Sequence, residues 1–105
     1  IKAVQWHSYE VRDLETNAEV TVLGSSESTT YQIFKYRNHA YAVQFHVEVR
    51  ADTVMQWGCI PEYRAALENS LGADALEAFD QTARAAMPEM NRLAKLLYDN
   101  FKRIL

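Results

Sequence analysis

The run Gln44-Phe45-His46-Val47-Glu48 places an imidazole two positions before a carboxylate. In extended chain, residues i and i+2 project from the same face, so the Glu48 carboxylate reaches an imidazole nitrogen of His46 once the strand end curls slightly. A carboxylate on one ring nitrogen fixes the tautomer and stabilises the imidazolium, leaving the other nitrogen to take a proton from a thiol or hydroxyl. The expected roles are general base for His46 and orienting residue for Glu48, two thirds of a triad. The same spacing on a strand also suits a surface ion pair, and spacing alone leaves both readings open.

A second group of candidates is weaker. His39, beside Asn38 in a predicted hairpin turn, reads as a solvated turn residue. The lone Cys59, in Trp57-Gly58-Cys59-Ile60-Pro61, follows the His-Glu pair in an apolar setting and is expected to pack as an inert thiol. His7, His46 and Glu48 are chemically able to hold zinc with a water, but no short-spaced Cys or His ligand set supports them. Neither a metal nor a cofactor is expected.

The elements that must position these residues separate along the chain. The first half is rich in β-branched and aromatic residues, and the second in alanine and leucine at helical spacing. The expected organisation is one domain over residues 1–105, strand-rich over 1–49 and helical over 50–105. Strands are predicted at Ala3 to His7, Glu19 to Leu23, Tyr31 to Arg37 and Ala40 to His46, the last two forming a hairpin across Asn38-His39. Helices are expected from Asp52, and from Pro61 to a stop at Gly72. Further on, Leu76, Phe79, Ala83 and Ala86 share a face, continued by Met90, Leu93, Ala94, Leu97 and Phe101, with Pro88 dividing or kinking the helix. That stripe reads as core, and the charged face opposite it as solvated.

Composition excludes several classes. The net charge is -3 with no basic cluster, so nucleic acid is not expected as a partner. The aromatics spread through the first half read as strand packing rather than base stacking. No apolar stretch approaches the roughly 20 residues needed to cross a bilayer, so no membrane partner is expected. A single cysteine and no leader pattern predict a cytoplasmic chain. The chain opens at Ile1 directly into strand-like residues, which suggests a fragment or a processed product.

The segment Ala42 to Glu48 resembles the Q-F-H-P-E signature of class I glutamine amidotransferases, with Val47 where proline is commonest. Upstream, Gln5-Trp6-His7-Ser8 resembles the W-H-G-D loop of synthase-like members, with Ser8-Tyr9 in place of Gly-Asp. Ser25 through Gln32 and Phe34 resembles the S-x-x-x-x-x-Q-x-F stretch before the catalytic strand. Downstream, Val54, Trp57, Ile60, Pro61, Tyr63 and Arg64 look like the helical region of bacterial GMP-synthase-like members.

The resemblance implies an α/β fold, this chain being the C-terminal part of a flavodoxin-like amidotransferase domain with about four strands followed by helices. It implies His46 and Glu48 as catalytic residues of a Cys-His-Glu triad, and Trp6, His7, Ser8 and Tyr9 as the loop that holds L-glutamine. For His7, a satisfied polar residue at a strand end is the competing reading. The nucleophile elbow, G-x-C-x-G, has no counterpart here, so the partner expected is a missing N-terminal half carrying the cysteine, and the chain alone is expected to be inactive. A synthase domain or subunit would receive the ammonia, and a homo-oligomer is possible. Two alternatives stay open: a γ-glutamyl hydrolase of the same superfamily, and a non-catalytic interaction module or subunit.

Overall fold

A computed structural model describes residues 1–105. The fold is α/β, with three antiparallel strands followed by three helices. Two compact units divide the chain, one spanning Gln5–His46 and the other Ile1–Val4 with Val47–Leu105.

The first unit is a sheet of β1 (Val20–Gly24), β2 (Ile33–Tyr36) and β3 (Ala40–Val43), in that order. Phe34 lies opposite both Val22 and Ala42, and Tyr36 opposite both Val20 and Ala40, so these residues share a face. The register shifts between Val22 and Gly24. A Cβ at Gly24 would stand 3.1 Å from Ile33 Cδ1, a close approach that favours glycine at this bulge.

The expected hairpin is present, its turn formed by Arg37, Asn38 and His39. Arg37 adopts φ 53, left-handed backbone that is costly for a non-glycine residue. Bonds to the sequence-distant Glu19 offset that cost: Arg37 N–H donates to the Glu19 carbonyl at 2.8 Å, its Nε to Glu19 Oε1 at 2.8 Å, and Tyr36 Oη donates to Glu19 Oε2 at 2.7 Å. The Tyr36 hydroxyl and then the Arg37 guanidinium hold the Glu19 carboxyl below the usual carboxylate range.

Three of the strands expected from the sequence are shorter or missing. Over Ala3 to His7 only Val4 makes a bridge. There the His7 ring bonds locally, to the Tyr9 carbonyl and the Gln5 amide, two residues away on either side, in competition with strand pairing. β3 ends at Val43 rather than at His46, and β2 begins at Ile33 rather than at Tyr31. The backbone N–H of Gln44 still reaches the Gln32 carbonyl at 3.0 Å, but the Tyr31 carbonyl is taken by the Gln44 side chain.

The second unit holds α1 (Thr53–Gly58), α2 (Pro61–Leu71) and α3 (Ala75–Ile104). Pro61 opens α2, where its missing N–H is harmless. Gly72 ends it with φ 107 and ψ 171, a conformation open essentially to glycine. α3 runs unbroken through Pro88, so no division of the helix occurs there. Having no N–H, Pro88 leaves the Arg84 carbonyl without its usual helical donor.

Val4, Val47, Val49, Val54, Leu67, Leu76, Ala83 and Met90 are buried in this unit, Met90 most completely at 1% exposure. The expected core stripe of α3 therefore holds as far as Met90. Beyond it, Leu97 and Phe101 are 44% and 43% exposed. The charged face of the helix is laced by Arg84–Asp80 and Arg92–Glu89 pairs.

Candidate active site

The first unit contains an open cleft of about 450 Å³. One wall is the irregular segment after Val4, contributing His7, Ser8, Tyr9, Glu10 and Arg12, and the other is the turn bearing Ser28 and Thr29. His7 Nδ1 lies 2.6 Å from the Tyr9 carbonyl, which can only accept, so Nδ1 carries the hydrogen. Nε2 lies 3.1 Å from Gln5 Oε1. With Nδ1 carrying the hydrogen, Nε2 is an acceptor and can bond the Gln5 side chain only through its NH2 end, so the bond to the Tyr9 carbonyl is the one that fixes the ring in the loop. Arg12 Nε donates to Glu10 Oε1 at 2.6 Å, placing a cation and an anion side by side on this wall. Tyr9 stands 89% exposed. Opposite, Ser26 N–H donates to the Thr29 carbonyl at 2.9 Å, and the tight turn buries Thr29.

Of the residues expected to hold substrate, His7, Ser8 and Tyr9 line the cleft. The half-buried Trp6 is not among its lining residues. Glu10, Arg12, Ser28 and Thr29 were not foreseen; the alternation of charge over Glu10-Val11-Arg12 was the available signal.

Two glutamines brace the walls. Gln44 Oε1 accepts from Val11 N–H at 3.0 Å, and Gln44 Nε2 donates to the Tyr31 carbonyl at 2.8 Å. Gln32, 5% exposed, donates from Nε2 to Ser26 Oγ at 3.0 Å. Its Oε1 is buried without a donor, an arrangement that typically costs about 1–3 kcal/mol.

His46 closes the first unit and Glu48 lies just inside the second. His46 is half-buried and Glu48 exposed, whereas Phe45, Val47 and Val49 are buried. The two-residue alternation of an extended chain therefore persists here although β3 has ended. Glu48 Oε2 accepts from Val47 N–H at 3.0 Å, drawing the carboxylate back along its own backbone.

Residues 1–55 match the family described as Glutamine amidotransferase class-I. The chain belongs to this family. No curated protein and no solved structure matches it. The matched segment of this amidotransferase chain contains the cleft, both glutamines, His46 and Glu48.

Cys59 departs from its expected packing, since its side chain is exposed. It caps the carboxyl end of α1 in ordinary helical backbone, φ -75 and ψ -14, with its N–H donated to the Gln56 carbonyl at 3.2 Å while the following Ile60 N–H donates to the Trp57 carbonyl at 3.0 Å. The apolar neighbours that suggested burial, Trp57 and Ile60, are themselves only partly covered. A nucleophile elbow instead presents its thiol on a strained turn. His39 is an exposed turn residue, as expected. No three His, Cys, Asp or Glu side chains are grouped to hold a metal ion, and no helix is long and apolar enough to cross a membrane.

Proposed function

We propose that this amidotransferase chain supplies the base and the substrate loop of a glutaminase half-reaction, the cysteine nucleophile coming from a segment outside these 105 residues. The observation that carries this reading is the family match over residues 1–55, a segment that includes His46, Glu48 and the residues lining the cleft. His46 takes the thiol proton as sulfur attacks the carboxamide carbon of L-glutamine, then returns it to the departing ammonia. Glu48 orients His46. One intervening residue keeps their Cα atoms within about 7 Å of each other whatever the backbone does. Water then hydrolyses the glutamyl thioester to glutamate, with His46 again the base.

The cleft suits the amino-acid end of glutamine. Arg12 would take its carboxylate and Glu10 its ammonium, with His7, Ser8 and Tyr9 lining the cleft beside them and Trp6 adjoining in sequence. Ammonia passes to an acceptor handled by a synthase domain or subunit; the resemblance of the flanking segments to GMP-synthase-like members supports that class.

The test is ammonia release from L-glutamine by this chain alone and by the chain joined to a segment bearing a G-x-C-x-G elbow. Release is expected only from the joined form, falling by about 10² to 10⁴ fold in His46→Ala. Release by the chain alone that survives His46→Ala sinks the proposal. Faster release of an amine from γ-glutamyl amides than of ammonia from glutamine would reassign it as a γ-glutamyl hydrolase.

A further inference from the structure

Gln44 belongs to the segment that carries the base, yet its side chain works elsewhere. Its amide spans 33 residues to the Val11 N–H on one wall of the cleft and 13 residues to the Tyr31 carbonyl. The two bonds are complementary, one accepted by oxygen and one donated by nitrogen, so the amide orientation is determined by its partners. Neither partner has a competing bond within the sheet: Val11 lies in irregular chain, and Tyr31 lies before β2 starts.

The backbone of Gln44 continues the same bracing. Its N–H donates to the Gln32 carbonyl at 3.0 Å. Gln32 in turn reaches Ser26 at the base of the turn that presents Ser28 and Thr29. Each wall of the cleft is thus tied by one glutamine side chain to the open end of the β2–β3 hairpin. The local His7 and Arg12 bonds shape the irregular wall internally, whereas the Gln44 amide links it to the sheet end.

We infer that Gln44 is a positioning residue, clamping the His7–Arg12 wall of the cleft to the end of the hairpin and so setting the cleft's width. That the clamped wall binds L-glutamine rests on the function proposed above; the clamp itself does not. Its consequence for that function is that the pentapeptide Gln44–Glu48 aligns the substrate loop as well as carrying the base.

Backbone hydrogen exchange on the intact chain tests this, with the amides paired between β2 and β3 as internal reference. In Gln44→Leu the Val11 amide is expected to exchange at least about tenfold faster while the reference amides keep their protection. Gln44→Glu separates clamping from mere packing. Its ionised carboxylate accepts from Val11 but repels the Tyr31 carbonyl, whereas the neutral acid restores both bonds. Protection of Val11 relative to the reference should therefore return as pH falls through the titration of the new carboxyl. Unchanged Val11 exchange in Gln44→Leu, loss spread equally over the hairpin, or no pH-dependent recovery in Gln44→Glu would each overturn the clamp. Titration of the wild-type chain with L-glutamine, read at Ser8, Tyr9, Ser28 and Thr29, addresses the ligand separately. No response there, with the Val11 pattern as expected, removes the glutamine assignment and upholds the clamp.

Discussion

Gly58→Ala should destabilise the helical unit through a single contact. A Cβ at position 58 would sit 2.5 and 2.6 Å from the two Cδ atoms of Leu76 and 3.1 Å from its Cγ. Ordinary carbon contacts lie near 3.5–4.0 Å, so Leu76 must retreat by roughly 1 Å. Leu76 is only 4% exposed and has no free space to enter, so the strain spreads to the packing of α1 on α3. Overpacking of this kind costs about 1–3 kcal/mol. Alanine gains at most about 1 kcal/mol over glycine in a helix interior, and less here because Gly58 is the last residue of α1. The net expected loss is about 1–2 kcal/mol, read as a lower urea midpoint at unchanged slope. The double variant identifies the cause. Leu76→Ala alone should cost about 2–5 kcal/mol, but it vacates the space the new methyl needs, so Gly58→Ala in that background should be neutral or stabilising. Additive losses, or a Gly58→Ala chain as stable as wild type, would refute the contact argument.

Glu19 gives a pH dependence. Its folded pKa is depressed, so its contribution is complete above the ordinary value of 4.5 and disappears as pH falls through the lowered folded value. Acid unfolding followed by circular dichroism should show this dependence reduced in Glu19→Gln. The exposed Cys59 thiol should be alkylated by iodoacetamide in the native chain at a rate insensitive to mild denaturant, checked by mass spectrometry; labelling that requires unfolding would contradict its placement. The edge strands expose Val22, Leu23, Tyr41 and Val43, and the end of α3 exposes Leu97 and Phe101. Sedimentation should therefore show mass rising with concentration. Val47→Pro removes the N–H that Glu48 accepts. Glu48→Gln should then change stability less in the Val47→Pro background than in wild type, and equal effects in urea titrations would dismiss that bond.

The sequence made the elements legible where local chemistry and pattern agreed. Pro61 and Gly72 bracket α2 because one residue lacks an N–H and the other tolerates φ 107. The hairpin was readable too, although its turn is closed by Arg37 through Glu19, a partner 18 residues away that no local pattern reveals. Strand ends were less readable. β-branched and aromatic composition extends through Tyr31 and Phe45, but a side-chain amide replaces the backbone donor at Tyr31 and stops the pairing. On α3 the apolar period continues past Met90 while its burial does not, so periodicity showed which face is apolar but not how far it is buried. In the cleft, the loop Trp6 to Tyr9 stood out by resemblance. Arg12 adjoins it in sequence, whereas Ser28 and Thr29 join it only through the fold, and the two glutamines that brace the walls carry no marker of their own in a single sequence.

The pentapeptide Gln44–Glu48 alternates in burial along its length. Its buried positions, Phe45 and Val47, hold the chain against apolar surroundings, and the alternation leaves His46 and Glu48 on the less covered side. The amide of Gln44 ties down Val11 and Tyr31. At position 47 the chain has valine where the family most often has proline. Proline would stiffen the segment by restricting φ, while valine leaves it freer but brings an N–H. The Glu48 carboxylate uses that N–H, at 3.0 Å. One route restrains the backbone that carries the carboxylate, and the other restrains the carboxylate directly. Either limits the orientations open to Glu48, so valine at position 47 is compatible with the orienting role proposed for that residue.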